Sequence, residues 1–176
     1  MLIKTIFAGF GGQGVISMGL NLAQAAMMEG KNVIYLPSYG PEVRGGTANC
    51  TVDISDEEIA SPVASAPDFV VAMNQPSLDK FQNQIASGGL LFINSSLVEA
   101  EISRGDIEVF KVEASSIAEK IGSLKSANMV MLGALIKKSN LISISTLIEI
   151  LENTLKKKGK LIAVNKEALM AGYDLF

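Results

Sequence analysis

The spacing of hydrophobic residues predicts alternating strands and helices in the first half of the chain. Short apolar runs at 2–8 and 32–36 indicate strands, and apolar residues at helical spacing over 15–29 indicate a helix between them. Gly30 suits the end of that helix, because glycine readily adopts the left-handed conformation found there. A third strand is predicted over 47–55.

The same alternation continues through the second half. Strands are predicted at 68–73, 90–94 and 107–114. Helices are predicted over 76–86 and over 126–138. A further short helix is predicted where Ser116 and Glu119 fit a capping box. Two more helices are predicted, one from Ser143 or Ser145 to Gly159 and one that either covers 160–171 or begins at an Asn165 cap. The stretch 126–138 is apolar almost all round, which is typical of a helix buried in the core.

Continuous apolar strands that alternate with helices predict a sheet covered on both faces. We therefore expect an α/β fold, a three-layer Rossmann-like domain with a mostly parallel sheet. The sequence has no linker, repeat or low-complexity segment, so residues 1–176 are expected to form a single domain. In sheets of this kind, ligands bind beyond the carboxyl ends of the strands.

Composition narrows the possible partners and location. Of the 176 residues, 48% are hydrophobic and 19% are charged, which is typical of a globular protein, and the net charge is −3. That charge offers no attraction for nucleic acid or for an anionic membrane. The apolar runs are too short to span a bilayer, and the N-terminal run leads into glycines rather than a signal-peptide cleavage site. We therefore expect a cytoplasmic protein.

The residue types also limit the chemistry. The chain has no histidine, which removes the commonest general base and the commonest zinc ligand. A single cysteine, Cys50, cannot form an internal disulfide or hold an iron–sulfur cluster alone. Its place inside a predicted strand favours a buried, inert thiol. Any reaction must therefore use other side chains, a cofactor or another chain.

The first segment with candidate chemistry is GFGGQG, residues 9–14. Gly9, Gly11 and Gly14 match G-x-G-x-x-G between a predicted strand and a predicted helix, where helix N–H groups can bind a phosphate. Gln13 presents a polar side chain to a ligand, a partner or the loop itself. A NAD site needs an acidic residue at the end of the second strand, and none is present. Alternatively, the glycines only allow the strand and helix to pack closely.

The second segment is SYGPEVRGG, residues 38–46. Arg44 offers a planar fork for carboxylate or phosphate, and Glu42 is placed to orient it. Gly45 and Gly46 allow a close approach by another backbone or a cofactor. The alternative is a local Glu42–Arg44 ion pair on a solvated loop. Because both segments follow predicted strands, we expect them at the same edge of the sheet.

Together these segments resemble a known family. GFGGQG before a helix, SYGPEVRGG before a strand, and IASP at 59–62 are similar to the gamma subunits of 2-oxoacid:ferredoxin oxidoreductases. The later stretches AMNQPSLDKF, GGLLFINSSLV and NMVMLGALIKK are also similar, so the resemblance covers nearly the whole chain. It is strongest to the branch that uses 2-oxoglutarate or 2-ketoisovalerate, and the sequence leaves the 2-oxoacid open.

The resemblance implies an activity that is shared among subunits. The family converts a 2-oxoacid and coenzyme A into acyl-CoA and carbon dioxide and passes electrons to ferredoxin. Thiamine diphosphate, magnesium and iron–sulfur clusters would lie on alpha and beta partner subunits, with a ferredoxin-like delta subunit as a further candidate. This sequence has no GDG-type thiamine diphosphate motif and no cysteine cluster. We therefore expect no catalytic residue, no metal ligand and no cofactor bound by this chain alone.

The resemblance also suggests which residues contact coenzyme A or a partner subunit. The candidates are Gly9, Gly11, Gly12, Gln13, Gly14, Ser38, Tyr39, Gly40, Pro41, Glu42, Arg44, Gly45 and Gly46. Two other functions stay open, a stand-alone NAD(P)-type reductase and a scaffold module without a ligand. Asn74 and Asn94, which follow strands at the same edge, are expected to cap the next elements.

Overall fold

The computed structural model describes residues 1–40, 46–60, 66–99, 102, 104–154 and 159–176. In this part of the chain the strands are β1 (Leu2–Phe10), β2 (Asn32–Tyr39), β3 (Thr47–Ser55), β4 (Phe69–Ala72), β5 (Leu90–Asn94) and β6 (Glu108–Val112). The helices are α1 (Val15–Met28), α2 (Gln75–Phe81), α3 (Ala114–Ile121), α4 (Ala127–Ser139), α5 (Ile144–Thr154) and α6 (Gly159–Tyr173). None of these helices is long and apolar enough to cross a membrane.

The strands form one six-stranded sheet in the order β2-β3-β1-β4-β5-β6. The pairs β1–β4, β4–β5 and β5–β6 are parallel, whereas β3 is antiparallel to both β1 and β2. Strand β2 therefore runs in the same direction as β1, and β3 alone among these strands is reversed. The carboxyl ends of β1 and β2 consequently lie at the same edge, as the sequence predicted.

Helices cover the sheet on both faces, which confirms the three-layer, mostly parallel α/β prediction. The larger core joins one face of the sheet to α1, α3, α4, α5 and α6. The smaller core joins the other face to α2, through Leu78 and Phe81. Every residue of α4 from Ala127 to Ile136 is buried, which confirms that this apolar segment is a core helix.

Strands β1 and β2 both run further than their apolar patterns predicted. Gly9 belongs to β1, not to the following turn, and Ser38 and Tyr39 belong to β2. Both strands are extended because they pair with the same neighbour, β3. Strand β3 pairs with β1 as far as Phe10 and with β2 as far as Tyr39, so ladder hydrogen bonds outweigh the low strand preference of the individual residues.

Three helix boundaries also differ from the predictions. The capping box at Ser116 and Glu119 is wrong, because α3 begins at Ala114 and its first-turn N–H groups donate to side chains of the β5 end. Helix α2 ends at Phe81 and continues only as a short 3-10 turn. Gly159 is the first residue of α6, so the alternative start at Asn165 is wrong; residues 155–158, the predicted end of α5, lie outside the described residues.

Asp53 is an unusual buried carboxylate on β3. It is 1% exposed, and among the described residues neither carboxylate oxygen has a hydrogen-bond partner. Burial raises the pKa of Asp53, and the nearby Asp68 raises it further, while Lys4, its cross-strand neighbour on β1, opposes the shift. The folded protein therefore binds this proton more tightly than the unfolded chain does.

Stability should consequently fall as pH rises from the ordinary carboxyl range through the raised folded pKa. We expect Asp53→Asn to increase the free energy of unfolding by about 1 kcal/mol at neutral pH, because the amide carries no charge to desolvate. The variant should also flatten this pH dependence. Urea denaturation at several pH values measures both effects. A variant that loses stability at neutral pH and gains none at any pH would contradict this account of Asp53.

Candidate functional site

The two glycine-rich segments meet at the carboxyl edge of the sheet. The Gly11 N–H donates to the Gly46 carbonyl oxygen over 2.8 Å, which joins the segment after β1 to the residue before β3. The Gly40 N–H donates to the Thr47 carbonyl oxygen over 2.7 Å, and this bond closes the end of the β2–β3 pair. The two segments therefore form one surface.

The side chain of Gln13 holds the turn between β1 and α1. Its Oε1 accepts from the Phe10 N–H over 2.7 Å and from the Asn74 Nδ2 over 2.9 Å, and its Nε2 donates to the Met73 carbonyl oxygen over 3.3 Å. Asn74 in turn caps α2 by accepting from the Ser77 N–H over 3.0 Å. Gln13 thus ties β1 to the end of β4, and its amide serves the loop itself.

Gln13→Leu should therefore destabilise the protein by about 2 kcal/mol, because it leaves the Phe10 N–H, the Asn74 amide and the Met73 carbonyl without this partner. Gln13→Glu is the matched control, since it keeps the acceptor for Phe10 and Asn74. Urea denaturation gives both values. If the Leu variant were as stable as the Glu variant, these hydrogen bonds would not be what holds the turn.

The first turn of α1 has unused hydrogen-bond donors. Gly14 precedes the helix with φ 75°, and no side chain in the described part of the chain caps it. Among the described residues, none accepts from the N–H groups of Val15, Ile16 or Ser17, and no acidic side chain lies in this turn. These donors and the positive end of the helix dipole can bind an anion such as a phosphate.

Neighbouring side chains fix the position of this turn. The Tyr35 hydroxyl of β2 donates to the Ile16 carbonyl oxygen over 3.0 Å, and the Cys50 thiol of β3 donates to the Val15 carbonyl oxygen over 3.3 Å. The pKa of Cys50 is raised to about 12, because burial disfavours the thiolate. Burial also raises the pKa of Tyr35 to about 12. Both groups therefore stay protonated at neutral pH and donate. The prediction that Cys50 is buried is confirmed, and its raised pKa is consistent with an inert thiol.

Two cavities flank the glycine turn, and Gly12 borders both. One has a volume of about 390 Å³ and a mostly apolar wall that includes Met73, Leu97 and Leu124, with Lys125 beside it. The other, of about 380 Å³, lies between the turn and Tyr39. An anion at the start of α1 would thus have room on either side for an attached organic group.

The structure brings together part of the predicted set. Gly11, Gly12, Gln13, Gly14, Tyr39, Gly40 and Gly46 lie around the turn, with Gly9 just before it in β1 and Ser38 exposed in β2. Position 9 requires glycine for steric reasons, since a Cβ there would press on Gln13 and Val15. The predicted contacts Pro41, Glu42, Arg44 and Gly45 lie outside the described residues.

Two further predictions concerned asparagines. Asn74 caps the next helix, as expected. The prediction for Asn94 is wrong, because the element that follows it is β6 and its side chain instead contacts the later helix α3. Its amide donates to the Ser115 hydroxyl over 2.9 Å and its Oδ1 accepts from the Ser115 N–H over 3.4 Å, both at the start of α3. These bonds leave neither asparagine as a free group at the sheet edge.

Sequence reasoning missed Ser17, Lys125 and Asn128. Asn128 reaches the turn from α4, where its Nδ2 donates to the Gly14 carbonyl oxygen over 3.2 Å and occupies the space that a Cβ on Gly14 would need. Its place in the apolar run SANMVMLGALIKK was a usable signal, because an amide buried in such a helix needs a polar partner. The sequence near Ser17 and Lys125 holds no comparable signal.

The sequence matches one protein family along nearly its whole length. Residues 4–175 match the family model for pyruvate ferredoxin/flavodoxin oxidoreductase. The chain is 43% identical over 173 residues to the ketoisovalerate oxidoreductase subunit VorA of Methanothermobacter thermautotrophicus, covering 98% of this chain. It spans only 36% of the length of that relative.

Solved structures have the same fold. The gamma subunit of a keto/oxoacid ferredoxin oxidoreductase from Geobacter sulfurreducens superposes with a TM-score of 0.83 at 28% identity, covering 98% of this chain and 96% of that one. A 2-oxoglutarate:ferredoxin oxidoreductase from Magnetococcus marinus, solved with 2-oxoglutarate, coenzyme A and succinyl-CoA bound, superposes with a TM-score of 0.91 at 29% identity. That match covers 99% of this chain and 31% of the larger one.

Proposed function

Because this chain belongs to the pyruvate ferredoxin/flavodoxin oxidoreductase family, we propose that it is the gamma subunit of a multi-subunit 2-oxoacid:ferredoxin oxidoreductase. The assembled enzyme would convert a 2-oxoacid and coenzyme A into acyl-CoA and carbon dioxide, with electrons passing to ferredoxin. Within it, this chain acts as a single domain that contacts its partners and coenzyme A. The location that follows for such an enzyme is the cytoplasm.

The redox centres in this proposal belong to the partner subunits. Thiamine diphosphate, magnesium and the iron–sulfur clusters would be held by alpha and beta subunits, with a delta subunit as a ferredoxin-like addition. The residues of this chain do not suit an iron–sulfur cluster, since its one cysteine is fully buried and already donates to the Val15 carbonyl oxygen. The isolated chain should therefore be inactive.

The observation that carries the proposal is the unused set of N–H groups at the start of α1. They lie directly beside the joined glycine segments, and a cavity opens on each side. Coenzyme A is a polyanion with a long, uncharged pantetheine arm. Its phosphates match the helix end and its arm matches the apolar cavity next to Lys125.

We assign the phosphate contact to the turn that contains Gly11, Gly12 and Gly14. Gly12 has φ 102° and open space around it, so a ligand can approach its backbone closely. Ser38, Tyr39 and Gly40 lead from β2 toward the same edge. The guanidinium of Arg44, with Glu42 beside it in the sequence, is proposed as a second anion contact.

Native co-purification tests this function. The chain is tagged in its own host and recovered under anaerobic conditions, and its companions are analysed for mass, iron and thiamine diphosphate. We expect larger subunits that reduce ferredoxin only when both a 2-oxoacid and coenzyme A are present, and a panel of 2-oxoacids then identifies the substrate. Recovery of the chain alone, while 2-oxoacid oxidation stays with other proteins of the extract, would contradict the proposal.

A further inference from the structure

Three consecutive carbonyl oxygens at the start of α1 each accept a hydrogen bond from a side chain of another element. The donors come from α4, β3 and β2. The bonds run from the Asn128 Nδ2 to Gly14 over 3.2 Å, from the Cys50 thiol to Val15 over 3.3 Å, and from the Tyr35 hydroxyl to Ile16 over 3.0 Å. They add to the bonds of the helix itself, since the Gly14 oxygen also accepts from the Met18 N–H over 3.0 Å.

These three carbonyls share their peptide groups with the three unused N–H groups. A peptide group joins the C=O of one residue to the N–H of the next in one rigid plane, and in the trans form the two point in opposite directions. The carbonyl of Gly14 is therefore one unit with the N–H of Val15, and the same holds for each of the next two pairs. The residues that carry these N–H groups, Val15, Ile16 and Ser17, border the cavity of about 380 Å³.

A hydrogen bond to the carbonyl makes the N–H of the same peptide group a stronger donor. Each bond polarises the next in such a chain, and the strengthening is about 10–30% per bond. The same contacts fix the direction in which each N–H points, so a bound anion does not have to reorient them. The start of α1 is thus both polarised and held in place by side chains from behind.

The side chains that bind the carbonyls are themselves firmly placed. Cys50 is fully buried and Asn128 is buried, and the pKa values of Cys50 and Tyr35, each raised to about 12 by burial, keep both groups protonated as donors at neutral pH. Gly19 allows β2 and β3 to approach this closely, because a Cβ there would overlap the Cys50 sulfur and press on the Tyr35 ring.

We propose that Tyr35, Cys50 and Asn128 are positioning residues that orient and polarise the backbone amides at the start of α1 for a phosphate group. The inference rests on the proposed function and adds to it the residues that set the affinity of the phosphate contact. All three act through the backbone, from the opposite side of the peptide groups, and do not touch the ligand.

The test uses the assembled enzyme and two competitors of coenzyme A, 4′-phosphopantetheine and pantetheine, which differ by one phosphate. Tyr35→Phe and Cys50→Ala each remove one donor. Cys50→Ser is the matched control, because its hydroxyl keeps a donor at the same position. Tyr173→Phe removes a tyrosine hydroxyl beside Lys137, at the end of α4 opposite Asn128.

The unmodified enzyme should bind 4′-phosphopantetheine more tightly than pantetheine. We expect Tyr35→Phe and Cys50→Ala each to reduce this preference about threefold, and the double variant to reduce it about tenfold, because the two bonds act on different peptide groups. The inhibition constant of pantetheine and kcat at saturating coenzyme A should not change. The Cys50→Ser and Tyr173→Phe controls should keep the full preference.

Two results would overturn the positioning role and leave the proposed function standing. One is an unchanged preference in the double variant. The other is an equal loss of both inhibitors, or the same loss in Cys50→Ser as in Cys50→Ala, because the side chains would then only shape the turn. An enzyme whose activity does not depend on coenzyme A would overturn the proposed function as well.

Discussion

Gly172→Ala is expected to lower the free energy of unfolding by about 3 kcal/mol, although alanine is the better helix former. Gly172 lies where α6 crosses α4, and a Cβ there would overlap the Val130 carbonyl. Gly133 makes the reverse contact, since its Cβ would overlap the Leu169 carbonyl. These obstacles are backbone atoms, so the helices must move apart and reopen the core around Val130 and Leu169, both fully buried.

The sign of the change makes this a strict test. At an open position in a helix, a Gly→Ala substitution stabilises a protein by up to about 1 kcal/mol. Gly105→Ala serves as the control, because no atom of the described residues lies near the position of its Cβ. Chemical denaturation should show a large loss for Gly172→Ala and Gly133→Ala and almost none for the control. A Gly172→Ala variant as stable as the unmodified chain would contradict the observed crossing of α4 and α6.

The second large effect concerns coenzyme A. Ser17→Asp places a carboxylate beside the unused N–H groups at the start of α1. A negative charge there interacts favourably with the helix dipole, so the melting temperature should stay the same or rise. The same charge competes with and repels a phosphate at this position. We expect the KM for coenzyme A of the assembled enzyme to rise by about tenfold or more while the KM for the 2-oxoacid is unchanged.

Ser17→Asn is the control for this experiment, because the amide is nearly the same size as the carboxylate and carries no charge. The difference between the Asp and Asn variants should shrink as salt is added, since screening weakens the interaction between exposed charges. If both variants raise the KM equally, the effect is one of shape, and the helix end does not bind a phosphate.

Much of the fold was predictable because the local spacing of apolar residues indicates the strands and helices. The spans of β3 and β5 follow directly from their apolar runs, and the apolar segment that became α4 is buried throughout. The direction of β3 was not predictable in this way, since a strand has the same pattern whichever way it runs. Pairing with β3 also extended β1 through Gly9, which the sequence alone assigns to a turn.

The place of the candidate site in the fold was predictable to the extent that glycine motifs mark it. The joined segments at Gly11 and Gly46 follow from two loops that come after parallel strands. Contacts between distant segments were not predictable. Asn128 reaches Gly14 from 114 residues away, and Gly133 and Gly172 look like weak points in a helix until the crossing partner is known. Such roles depend on tertiary packing, and the spacing of residues along the sequence does not reveal them.

Hydrogen exchange of the assembled enzyme, with and without coenzyme A, tests the central claim most directly. The unused N–H groups of Val15, Ile16 and Ser17 should exchange markedly more slowly when coenzyme A is bound, because they then donate to its phosphates. Peptides from the edge strand β6, which β4 and β5 separate from β1, serve as the internal reference. Slower exchange at the start of α1 is the predicted result. Protection confined to other subunits, with no change at residues 11–17, would show that this chain does not bind coenzyme A through its glycine turn.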